Sequence, residues 1–89
     1  MIRRTIRYRG TVQGVGFRWT VVQTARGFQV TGSVRNLSDG RVELVAEGDP
    51  AQLTAFCDAV AERMAGYIRG TEVSEAPATG QFKGFTVAF

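Results

Sequence analysis

An α+β sandwich, an antiparallel sheet with two helices on one face, is the fold that three features of this 89-residue chain predict. Stretches of period-two alternation recur near residues 4–12, 31–36, 41–47 and 85–89. Two other stretches, 19–28 and 50–64, repeat apolar residues at spacings of three and four, as a helix does. Asp39-Gly40 between two strand-like runs marks a hairpin, because both residues tolerate the turn's positive φ angles.

The elements follow in order. Residues 4–12 form the first strand, with Ile6, Tyr8 and Val12 facing inward and Thr5, Arg7, Arg9 and Thr11 outward. Trp19 to Phe28 forms the first helix, with Trp19, Val21, Val22 and Ala25 as its buried stripe and Gly27 weakening its last turn. Residues 31–36 form the second strand. After the turn, 41–47 forms the third, with Val42, Leu44 and Ala46 on one face and Glu43, Val45 and Glu47 on the other. Asp49 is placed to cap the second helix and Pro50 fits its first position. Leu53, Phe56, Cys57, Val60 and Met64 make its apolar stripe, and Gly66 ends it. Residues 71–76 form a further strand. Pro77 to Gly84 is a loop anchored by Phe82, and Phe85, Val87 and Phe89 alternate in a short last strand. This βαββαβ order with a final strand is a split β-α-β pair, a ferredoxin-like sandwich, and residues 1–89 are expected to form one domain.

Composition narrows the chemistry. The chain is 44% hydrophobic and 21% charged, which suits a packed core. It has no histidine and a single cysteine, Cys57, which lies in an apolar helical stripe and reads as a packing thiol. That removes Ser-His and Cys-His catalysis, the usual zinc sites and any internal disulfide. No apolar run approaches the ~20 residues of a membrane span. The first residues lack a signal-peptide core, so a cytoplasmic location is expected. The net charge of +3 is modest, and its early concentration at Arg3, Arg4, Arg7, Arg9 and Arg18 suits a small anionic ligand.

Function points to Val12-Gln13-Gly14-Val15-Gly16-Phe17-Arg18, between the first strand and the first helix. Two glycines let the backbone turn tightly and present its N–H groups without Cβ interference. Successive N–H groups form an anion-binding concavity, and the helix start adds partial positive charge. Arg18 brings a guanidinium that can grip a phosphate through two hydrogen bonds, and no acidic neighbour competes for it. The turn is neither a P-loop nor a dinucleotide site: it lacks Gly-Lys-Ser/Thr, a third glycine and a downstream acid. Strand–Gly-rich turn–helix units are also common as pure structure. Asn36, taken alone, reads as a residue that helps the hairpin turn. Arg35 and Arg41 flank that turn and read as solvated.

The 12–18 stretch resembles a signature of the acylphosphatase family. Gly32-Ser33-Val34-Arg35-Asn36-Leu37-Ser38-Asp39-Gly40-Arg41-Val42-Glu43 is similar to a second family signature, and Thr79 to Val87 matches a third more weakly. The resemblance implies the ferredoxin-like fold and hydrolysis of acyl phosphates to a carboxylate and inorganic phosphate. It implies that Arg18 and the backbone N–H groups of Val15, Gly16, Phe17 and Arg18 bind the phosphoryl group, and that Asn36 positions the attacking water. A carboxylate leaves readily, so a chain without histidine suffices, and no metal or cofactor is expected. A monomer with a small-molecule substrate and no nucleic acid partner is the accompanying expectation.

Three departures from the family pattern stand out. Gln29 replaces a usual glycine after the first helix while Gly27 interrupts it, so either the helix stops early or Gln29 is left-handed. Gly66-Tyr67-Ile68-Arg69-Gly70 replaces a proline pair. Ser33 stands where an aromatic residue is frequent, which bears on sheet packing or pocket shape. Two competing readings remain: an RNA-binding module and a non-catalytic regulatory domain. Stacking aromatics on the open sheet face would mark the first, but that face carries Glu43 and Glu47.

Overall fold

The computed structural model describes residues 1–89 and contains seven elements. They are β1 (Ile2–Gly10), α1 (Phe17–Ala25), β2 (Thr31–Asn36), β3 (Val42–Gly48), α2 (Pro50–Arg63), β4 (Ile68–Pro77) and β5 (Phe85–Val87). The sheet order is β4-β1-β3-β2-β5. Its first four strands are antiparallel, as expected. β5 differs: it runs parallel to β2, pairing Gly32 with Phe85 and Val34 with Val87.

Strand parity explains the core. Ile6, Tyr8, Val34, Val42, Leu44 and Ala46 are buried on the face that α1 and α2 cover, where Leu53, Phe56, Val60 and Met64 of α2 meet them. Tyr8 packs against Phe17 in a tilted arrangement with ring centroids 4.9 Å apart, which ties β1 to the start of α1.

Several boundaries move. β1 spans 2–10 rather than 4–12, because the register against β4 shifts at Arg9/Gly10 and the Thr11 N–H bonds the Tyr67 carbonyl at 3.0 Å. α1 starts at Phe17 and stops at Ala25. Its buried residues are Phe17, Val21, Thr24 and Ala25, so Trp19 falls on the opposite side and is 67% exposed, contrary to the expected stripe. No residue other than glycine has a positive φ, so the early helix stop, not a left-handed Gln29, resolves the first departure. Asp49 occupies the cap position of α2 but makes no side-chain cap bond. α2 ends at Arg63, before Gly66, and the Tyr67 and Ile68 N–H groups both donate to the Met64 carbonyl, which closes the turn into β4. Ser33 pairs with Val45 on the face away from the helices, so its smallness affects the open face and not the helix side.

β4 and β5 are opposite edges, so residues 78–84 must cross the open face. Glu47 holds that crossing. Its carboxylate accepts the Thr79 N–H at 2.9 Å, the Gly80 N–H at 2.9 Å and the Arg3 Nε at 2.8 Å. Arg3 in turn lies 5.2 Å from the centre of the Phe82 ring, the expected anchor. Arg35 is not simply solvated: it shares Glu43 with Arg7, each at 3.0 Å. Arg41 likewise pairs with Asp39 at 2.8 Å.

Burial opposes ionisation of Glu47, yet the two backbone donors, Arg3 and the Thr79 hydroxyl outweigh it and pull its carboxyl from 4.5 to about 2. A carboxyl depressed on folding stabilises the fold when ionised, so its contribution is full above about pH 4.5 and is lost as pH falls toward 2. Thermal unfolding from pH 6 to pH 2 is expected to show falling stability. Glu47→Gln should flatten that slope and cost roughly 1–3 kcal/mol at neutral pH.

Candidate active site

The site lies where β1 hands the chain to α1, beside the end of β2. Gly14 and Gly16 both have φ of 77°, a left-handed conformation that side chains disfavour. A Cβ placed at either would meet nothing within 4 Å, so backbone shape rather than crowding requires these glycines. Gly16 precedes the first helical residue, and its carbonyl accepts the Thr20 N–H at 2.9 Å. The N–H groups before Thr20 have no carbonyl one turn earlier. None of residues 12–19 donates in any backbone bond outside the regular elements. These are free donors at a helix start, where the partial charge is positive and no acidic side chain occupies the first turn.

Arg18 belongs to that first turn and is half-buried. It takes part in no ion pair, whereas Arg3, Arg4, Arg7, Arg35 and Arg41 all do. Its Cζ lies 5.7 Å from the centre of the Phe89 ring. A ring face steadies a guanidinium without occupying its N–H donors, which a carboxylate would do.

Asn36 ends β2 and lines the same cleft as Gly14, Gly16, Phe17 and Arg18. The cleft encloses about 380 Å³. Arg18 has the sole charged side chain among its walls. Val15 is half-buried beside the core, and the side chain of Phe17 is fully buried, so both can serve a ligand in the cleft through backbone alone.

Sequence reasoning missed the residue that joins the two halves. Gln13 Nε2 donates to the Leu37 carbonyl at 2.8 Å and to the Arg41 carbonyl at 2.9 Å. One side-chain amide therefore fastens the glycine loop to the β2–β3 hairpin, directly beside Asn36. The signal was Gln13's standing as the one polar side chain among small and apolar loop residues. Trp19 and Phe89 were also missed as walls of the cleft.

A ferredoxin-like sandwich with backbone donors, an unpaired arginine and an asparagine around one small cleft has the chemistry that a compact anionic ligand requires. The acylphosphatase family model matches residues 4–87. Acylphosphatase 1 of Ralstonia nicotianae is 46% identical over 79 residues, covering 88% of this chain and 78% of that protein. The acylphosphatase of Lactobacillus johnsonii is 37% identical, covering 96% of each chain. The crystal structure of the Bacillus subtilis acylphosphatase superposes with a TM-score of 0.89 at 32% identity over the full length of both chains. The chain belongs to the acylphosphatase family.

Proposed function

We propose that Arg18 and the backbone N–H groups of Val15, Gly16, Phe17 and Arg18 bind the phosphoryl oxygens of an acyl phosphate, and that Asn36 positions the water that attacks it. The reaction is hydrolysis of the carboxyl–phosphate bond. The observation that carries this assignment is the single cleft shared by Arg18, Asn36 and the glycine loop.

The chemistry follows from charge. The transferring phosphoryl group spreads negative charge over its oxygens, and fixed donors aimed at them stabilise the transition state. The water oxygen bonds to phosphorus. The bond from phosphorus to the acyl oxygen breaks, and its electron pair leaves on the carboxylate. The Asn36 amide orients the water, and the water's proton passes to a phosphate oxygen. No cleft-lining side chain is a carboxylate or an imidazole, so no enzyme base is assigned. The pH–rate profile is expected to lack a limb from an enzyme carboxylate.

Residues 1–89 act as one monomeric domain in this reading, in the cytoplasm, without a nucleic acid partner. No helix is long and apolar enough to cross a membrane. Against RNA binding stands the open face itself, where Arg3, Arg7 and Arg35 are engaged by Glu47 and Glu43. The deciding experiment is phosphate release from acetyl phosphate in the presence of chelator. Turnover is expected; a folded protein with none would favour a regulatory domain.

Gln13 supplies a further test. Gln13→Ala removes two hydrogen bonds and frees the loop from the hairpin. It is expected to cost roughly 1–2 kcal/mol of stability and about tenfold in kcat. Thermal denaturation and phosphate release measure the two.

A further inference from the structure

We infer that Glu47 is a positioning residue for the reaction: it fastens residues 78–84 to the open face, and that strap keeps β5, which carries one wall of the cleft, seated against β2. The kinetic part of this inference rests on the hydrolysis proposed above; the structural part does not.

β5 is weakly secured. It has 3 residues and a single neighbouring strand. Around that pairing the Gly32 N–H donates to the Gly84 carbonyl and the Ala88 N–H to the Val34 carbonyl, each at 2.9 Å. The Phe85 ring meets the Phe56 ring edge-on, with centroids 5.4 Å apart. A short edge segment of this kind opens locally at little cost. Val87 and Phe89 nevertheless line the cleft with Arg18 and Asn36, and the Phe89 ring faces the Arg18 guanidinium. When β5 opens, the cleft loses that wall and the guanidinium loses its support, so the open form binds phosphate more weakly.

The strap limits the opening. The Glu47 carboxylate is buried on the open face, 4% exposed, and takes three bonds from one point of the strap: the N–H groups of Thr79 and Gly80 and the Thr79 hydroxyl. Arg3 closes the cluster, donating from Nε to Glu47 and from a second nitrogen to the Thr79 hydroxyl at 2.8 Å. Only residues 81–84 then separate a fixed point from β5. Without the clamp the free run begins at Ala78, straight after β4. A longer free run makes seating β5 costlier in chain entropy. Glu47 thus acts on the cleft from the opposite end of the sheet, through the strap and β5.

The test joins amide hydrogen exchange to kinetics with acetyl phosphate and inhibition by inorganic phosphate, in wild type and Glu47→Ala. If only the seated form binds, KM and the inhibition constant rise by the inverse of the seated fraction, while saturating ligand restores kcat. Glu47→Ala is expected to raise both constants about fivefold with kcat within about twofold, which corresponds to β5 seated in roughly one unliganded molecule in five. The Ala88 N–H should then exchange almost as a free amide does, while the β1–β3 ladder stays protected. Excess phosphate should restore protection at Ala88. Glu47→Gln keeps an acceptor for the strap N–H groups and should recover most of the affinity. Should the alanine variant not fold, Thr79→Val cuts the hydroxyl's bonds at an exposed position and should show the same pattern at about twofold. A folded variant with unchanged KM, phosphate inhibition and Ala88 exchange would overturn the inference. So would a fall in kcat at constant KM, or protection lost evenly across the sheet, which marks a general structural role. A wild type without turnover would overturn hydrolysis, and Ala88 exchange would still decide whether Glu47 seats β5.

Discussion

Arg18→Ala is expected to lower kcat/KM for acyl phosphates by roughly a thousandfold or more, the scale on which a transition-state arginine acts in phosphoryl transfer. Arg18 is the sole charged side chain lining the cleft, so no neighbouring side chain can replace it. Its loss should spare the fold. It makes no ion pair, and its ring contact is with the fully exposed Phe89. The variant should therefore unfold near the wild-type temperature without ligand. Inorganic phosphate, which stabilises a protein that binds it, should raise the wild-type unfolding temperature and leave the variant's unchanged. Arg18→Lys keeps the charge but not the planar pair of donors, so it should recover only part of the loss. A folded Arg18→Ala protein with ordinary turnover would remove Arg18 from the mechanism and shift phosphate binding to the backbone donors alone.

The order of elements was legible because it depends on local periodicity. Val42, Leu44 and Ala46 alternate, Leu53, Phe56 and Val60 recur at helical spacing, and each pattern is buried where that period places it. Boundaries depended on contacts the sequence does not display. α1 begins at Phe17 because that ring packs on Tyr8, a partner nine residues earlier on another element. Trp19 then lies on the cleft side, although its size suggested burial. β4 runs from Ile68 to Pro77 because β1 offers it a full-length partner, not because its own residues alternate cleanly. Glu43 and Glu47 were read as an acidic outer face, yet both are buried under arginines that the strand register brings opposite or near them.

The site was legible in part for the same reason. The conformational demand on Gly14 and Gly16 is local, and so is the placement of Arg18 at a helix start. The proximity of Asn36 is tertiary: it follows from β1 and β2 flanking β3, both antiparallel to it, so that the loop after one and the end of the other lie at the same end of the sheet. From local chemistry alone Asn36 is a turn residue. Its position on the cleft is what makes a role in the reaction physically available, and Gln13 is what holds the loop and hairpin at that spacing.

Asn36 should affect the rate and not the grip on phosphate. Asn36→Ala is expected to lower kcat by about a hundredfold, the scale of losing the alignment of one reactant. KM and inhibition by inorganic phosphate should stay within about twofold, because Arg18 and the backbone donors remain. Asn36→Asp keeps the shape but is ionised at neutral pH, since a free aspartate titrates near ~4. A carboxylate there accepts a hydrogen bond from water but donates none, and it repels the phosphoryl oxygens. That variant should lose affinity as well as rate, with both partly returning as pH falls and the carboxyl regains a proton. The contrast separates two roles that a single alanine substitution would merge. If Asn36 merely supported the hairpin, both variants would lower stability and change kcat and KM alike, with no recovery in acid. If it orients the water, alanine reduces rate alone and aspartate adds a pH-dependent loss of binding.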